Sequence, residues 1–236
     1  MVACCDIGYV LDKLAWMREQ RIWPNGRRYL WTDAFGVVLL VSLHAESGER
    51  RYLDQACELV AEVERVLARP RGLRIGEAAD RDGQYFHYLA MWMYALAVLG
   101  RYAPGYTLKG VALARDVHDA FVVPGRGVWW KMREDLSGPY PGFEGFGALD
   151  AFDGYVSYRL LDEAALASQI ADMRLLIGQG PEKPLITQDL GIGMMLWIRI
   201  AVALVALAGG AYYLREFFVN PDALCRVAGS DSRQKV

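Results

Sequence analysis

The chain has 236 residues, 54% hydrophobic and 23% charged, with a formal net charge of -2. That length and balance describe a folded chain with one large core and exclude a disordered one. The near-neutral charge, with no long basic run, argues against nucleic acid as a partner.

Helical periodicity recurs along the whole chain, and strand signals are nearly absent. Val10 to Gln20 forms a short amphipathic helix before Pro24-Asn25-Gly26. Thr32 to His44 is apolar on nearly every side. Ser47 to Arg69 is one-sided: Leu53, Ala56, Cys57, Val60, Val63 and Leu67 form a stripe, with Asp54, Glu58, Glu62 and Arg65 opposite. Ser47 is the expected N-cap there, and Pro70 with Gly72 the stop. Gly83 to Leu99 is again apolar all round, and Leu108 to Val122 again one-sided through Val111, Ala114, Val117 and Phe121. Gly154 to Leu161 and Leu190 to Leu207 belong to the apolar kind. Asp162 to Ile177 belongs to the one-sided kind through Leu166, Ile170, Met173 and Ile177.

A helix without a polar face must be covered by protein on most sides, whereas a one-sided helix covers others. Alternation of the two kinds predicts an all-α fold in two layers, an (α/α) toroid of helical hairpins. A plain bundle is the alternative. A single toroid domain is expected over residues 1–220, followed by a polar tail over 221–236.

The apolar helices share a start: WTDAFG (31–36), DRDGQYF (80–86), LDAFDGY (149–155) and TQDLGIG (187–193). In a toroid the inner-helix N-termini meet at one end of the ring. Asp33, Asp82, Asp153 and Asp189 would then converge on one mouth. An Asp before a helix is most often a cap, accepting first-turn N–H groups. Several carboxylates in one cavity repel one another and push a pKa apart, which is what acid/base hydrolysis of a glycoside needs. Asp82 and Asp33 lead as general acid and base, Asp153 and Asp189 follow, and Asp80 and Asp150 are adjacent alternates.

Gln84, His87, Tyr88 and Met91 fall on one stripe of their helix. Gln84, Tyr85 and His87 are therefore candidates to hold sugar hydroxyls, against a bland reading in which His87 is a satisfied core histidine. Residues 125–150 form a long connection rich in Gly, Pro and aromatics, the kind that often carries function. Trp129 and Trp130 are candidates to stack on sugar, with packing expected for one of them, and Glu144 is a candidate to reach the pocket. Trp31 carries the same ambiguity beside Asp33.

RIWPNGRRYLWTDAFG, IGEAADRDGQYFHYLAMWMYAL and TQDLGIGMMLW together resemble the six-hairpin glycosidase-like superfamily, the (α/α)6 barrels, in a bacterial branch. The likeness runs from about Trp16 to Trp197. It implies a carbohydrate-active protein, most directly a glycoside hydrolase. Unsaturated glucuronyl hydrolases belong to the same group, and sugar 2-epimerases are more distant. An epimerase is expected to use histidines, which are scarce here. The chain departs from the family in length: a full ring needs twelve helices, and the periodicity supports about nine. A shortened ring makes a non-catalytic scaffold or sugar-binding protein the alternative.

No Walker loop, dinucleotide fingerprint or nucleophile elbow occurs, so no cofactor is expected. Cys4, Cys5, Cys57 and Cys225 show neither metal-ligand spacing nor a disulfide framework, so no metal is expected, and the default location is cytoplasmic. Residues 191–214 are apolar and long enough to cross a bilayer. The central Arg199 and the Gly209-Gly210 break make that a weak membrane candidate. Oligomeric state is not legible.

Overall fold

The computed structural model of the chain describes residues 7–78 and 81–179. Asp80, Asp189, the apolar segment 191–214 and the tail lie outside the described residues. Seven helices and four two-residue strands make the described chain predominantly helical, as the periodicity predicts. No described helix is long and apolar enough to cross a membrane.

The chain divides into two compact units. One comprises Met1–Arg27, Ala45–Gly48 and Gln188–Val236; the other comprises Arg28–His44 and Glu49–Thr187. In the first, α1 (Ile7–Glu19) buries only Leu14. Its stop is a Schellman motif rather than the proline turn: Arg21 takes a left-handed φ of 53°, and the Ile22 and Arg21 N–H groups reach back to the Met17 and Arg18 carbonyls.

The second unit holds α2 up to His44 and the remaining helices. Helix α2 (Leu30–Ser47) is followed by Gly48 at φ 71°, a conformation that ends a helix. Ser47 is consequently the last residue of α2 and not the cap of the next helix. Glu49 occupies that N-cap, with no side-chain cap bond. Helix α3 (Arg50–Leu67) has the expected stripe: Leu53, Ala56, Val60, Val63 and Leu67 are buried and Cys57 is half-buried.

Residues 73–78 form a non-helical strut. The Leu30 N–H donates to the Ile75 carbonyl, and the Ile75 N–H to the Gly83 carbonyl. Gly76 lies at the tightest point, with φ 94° and room for no side chain: a Cβ there would sit 2.2 Å from the Arg28 carbonyl oxygen.

The helix expected from Gly83 starts later. Gln84 and Tyr85 form β1, paired antiparallel with β4 (Lys131–Met132), and α4 runs from Phe86 to Gly100. A ladder holds those two residues extended where periodicity alone continues the helix. Every residue of α4 is buried except His87 and Tyr88. Helix α4 packs against α5 (Gly105–Phe121) and α6 (Asp150–Asp162), and α6 also packs on α5 and α7 (Ala167–Gln179). Between α5 and β4 a small hairpin pairs β2 (Val122–Val123) with β3 (Gly127–Val128).

Helix α6 starts at Asp150, four residues before the periodic pattern suggests, and ends at Asp162. Asp162 then closes the following turn, its Oδ1 accepting the Ala164 and Ala165 N–H groups. The helix expected from Asp162 therefore begins at Ala167. Leu166 and Met173 are buried as expected, while Ile177 is exposed.

Candidate functional site

The two residues of α4 that escape burial sit on an aromatic belt drawn from three parts of the second unit. Trp31 of α2 lies 4.9 Å from the Tyr88 ring and 5.7 Å from the His87 ring. Tyr85 of β1 lies 5.3 Å from His87, 5.1 Å from Tyr88 and 5.4 Å from Trp130. Trp130 continues to Phe143 at 5.4 Å, and Phe143 to Tyr140 at 5.9 Å. The separations are those of attractive ring pairs. Trp31, Tyr85, His87 and Tyr88 are half-buried, and Trp130 is 38% exposed. Large rings with polar edges, left open to solvent in a row, are the distinguishing feature of this unit.

The belt is positioned by backbone pairing. The β1–β4 ladder sets Tyr85 opposite Lys131, and the Phe86 N–H donates to the Trp130 carbonyl. The α2 start brings Tyr29, whose hydroxyl lies 2.5 Å from that of Tyr88.

Burial raises the Tyr29 phenol, with the Glu77 charge adding to it and the Tyr88 bond partly opposing. Burial, then Glu77, pushes Tyr85 up to about 12. Tyr88 is raised by burial first, then by its bond to Tyr29 and by neighbouring charges that include Glu77. These hydroxyls are neutral at physiological pH and so act as both donors and acceptors.

Beneath the belt is Lys131, 2% exposed. Its ammonium lies 4.8 Å, 4.3 Å and 5.0 Å from the ring centroids of Tyr85, Tyr140 and Phe143, within cation–π range. It donates to the Arg81 carbonyl at 2.6 Å and lies 3.7 Å from Glu77 Oε2. Neither Lys131 nor Glu77 stands out in the sequence. The available signal is a lysine set directly after two tryptophans in a long aromatic connection.

The predicted residues divide sharply. Trp31, Tyr85, His87 and Trp130 come together in the belt. Trp129 instead turns to Phe146, with ring centroids 4.5 Å apart, so it is the tryptophan that packs. Glu144 folds onto its own turn, accepting the Gly142 N–H at 2.9 Å, and that bond holds its carboxyl below the ordinary value. Gln84 is fully buried. Its Oε1 accepts the Leu73 N–H, and its Nε2 donates to the Arg71 and Glu134 carbonyls. It clasps two loop segments, 71–73 and the one at Glu134, and its amide faces backbone rather than the belt.

The aspartates are also engaged. Asp82 is buried, but it does not cap α4, whose N-cap is Tyr85. Its Oδ2 lies 2.5 Å from Arg74 Nη1, and its Oδ1 accepts the Gly76 and Gly83 N–H groups. Asp33 lies 3.5 Å from the buried Arg28, and its Oδ2 accepts the Tyr29 N–H. Asp153 is buried in the first turn of α6. Asp150 heads the same helix, with Oδ1 3.8 Å from His87 Nδ1, at the edge of the belt. Gly147 makes room for it, since a Cβ at that position would fall 1.2 Å from Asp150 Oδ2.

Comparison with protein-family models, with curated proteins and with solved structures returns no match for this chain.

Proposed function

We propose that the protein is carbohydrate-active and binds saccharide on the belt formed by Trp31, Tyr85, His87, Tyr88 and Trp130. The observation that carries this reading is the partial exposure of those rings next to an otherwise buried helix. Apolar ring faces take the C–H face of a pyranose, while phenol and imidazole edges take its hydroxyls. The sequence resemblance to six-hairpin glycosidases points the same way.

The proposed architecture is an incomplete (α/α) toroid, supported by a buried α4 that packs on the one-sided α5. A cytoplasmic setting belongs to the same proposal, in keeping with the free thiol of Cys57.

Glycoside hydrolysis is the second reading, favoured by the Asp150–His87 contact at the belt's edge. Asp150 is better placed to act there than Asp82 or Asp33, whose carboxylates are held by arginines and backbone N–H groups.

Calorimetric titration with cellotriose, maltotriose, chitotriose and mannotriose tests the proposal. At least one should bind, and Trp31→Ala or Trp130→Ala should weaken it about tenfold, since one stacked ring is worth roughly 1–1.5 kcal/mol. Binding to none, or binding indifferent to both substitutions, would remove the proposal. Release of reducing sugar that Asp150→Asn abolishes would establish the hydrolase reading.

A further inference from the structure

We propose that Glu77 is the carboxylate that contacts the bound saccharide, taking its hydroxyl donors beside the faces of Tyr85 and Tyr88. The inference rests on the saccharide-binding reading above and names the polar anchor of that site.

Three observations converge on Glu77. The first is access. The Glu77 side chain is 30% exposed, against 0%, 0% and 5% for Asp33, Asp82 and Asp150. Of these carboxylates, Glu77 is the most open to a ligand in solvent.

The second is place. Glu77 lies two residues past Ile75, whose carbonyl accepts the Leu30 N–H at the start of α2, and its Oε2 is 3.7 Å from the ammonium that sits 4.8 Å from the Tyr85 ring centroid. Through Lys131 the carboxylate stands near Tyr85, and its charge adds to the rise of the Tyr29, Tyr85 and Tyr88 phenols.

The third is the nature of its cation. Lys131 Nζ is 3.7 Å from Glu77 Oε2, beyond a normal hydrogen bond, while the same ammonium binds the Arg81 carbonyl at 2.6 Å and lies over three rings. That enclosed ammonium faces the carboxylate without occupying it at hydrogen-bond distance. A carboxylate of this kind is suited to two adjacent hydroxyls of a neutral pyranose, the ring lying flat on aromatic faces.

The competing role is a mere counter-ion to Lys131, and a pair of variants separates the two. Glu77→Gln should weaken binding of whichever trisaccharide the wild type takes by about tenfold or more. It should also lower Tm, because a buried ammonium loses its partner. Adding Lys131→Met should restore Tm, since no buried charge is then left alone, yet leave binding weak. Glu77→Asp keeps the charge but withdraws it by one methylene. It should fold like the wild type and bind more weakly.

Wild-type affinity in Glu77→Gln, or in the double variant, would overturn the assignment. Binding lost in Trp31→Ala but kept in Glu77→Gln would sink this inference alone. A wild type that binds none of the four trisaccharides sinks it together with the belt reading.

Discussion

Gln84 and Asp82 show how a polar residue at the mouth of an apolar helix can serve the backbone instead of a ligand. Gln84, itself fully buried, makes three bonds to loop backbone. Replacement by alanine leaves those groups unsatisfied, and should cost roughly 3 kcal/mol in urea unfolding while leaving the belt rings in place. A loss below 1 kcal/mol would mean that the clasp is not needed. Asp82 was legible as important but not in which way. The sequence places an acid before a helix, and capping is the ordinary inference. The β1–β4 ladder moves the helix start on to Phe86, which hands Asp82 to Arg74 and to the strut.

The phenols make a pH prediction at the same scale. Tyr85 rises to about 12 through burial first, and Tyr94 reaches about 12 the same way. An unfolded tyrosine titrates near 10. The folded state thus keeps these protons when the unfolded chain has lost them. This contribution to stability is complete below about pH 10 and is lost as the pH climbs toward 12. Absorbance titration near 295 nm should show a late tyrosine class that joins the early one on unfolding. A single class near pH 10 in the native protein would contradict the burial of these rings.

Among the elements, α4 and the strut carry the account. The α4 run from Phe86 to Gly100 was readable because its residues are apolar on every side, and the structure encloses it between α5 and α6. Trp92 is 1% exposed at its centre, so Trp92→Ala should cost about 3–5 kcal/mol in unfolding. A cost near zero would mean that α4 is not enclosed. The strut was not readable, because residues 73–78 have no periodicity to betray an extended segment. Its requirement for glycine is specific: at Gly76 a Cβ meets the Arg28 carbonyl oxygen at 2.2 Å, and φ is 94°. Gly76→Ala should cost about 1–3 kcal/mol in strain and loosen the α2 start. Since Glu77 is the next residue, it should also weaken saccharide binding, whereas Gly105→Ala, where no atom lies within 4 Å, should bind as the wild type does.

Over the whole molecule, helix class was written in the spacing of apolar residues, and helix boundaries were written in contacts between distant segments. Trp31, Tyr85, His87 and Trp130 were identifiable because rings and a histidine on apolar helices and long loops invite a partner. Glu77 and Lys131 were not, because they become a pair only when the fold brings the strut to β4. The aromatic belt is proposed to hold sugar. The indole N–H resonances of the 7 tryptophans test it most directly during trisaccharide titration. Saturable shifts are expected at Trp31 and Trp130, with Trp92 in the core and Trp129 against Phe146 unmoved. Saturable binding that leaves Trp31 and Trp130 unshifted, or no binding by any trisaccharide, would contradict it.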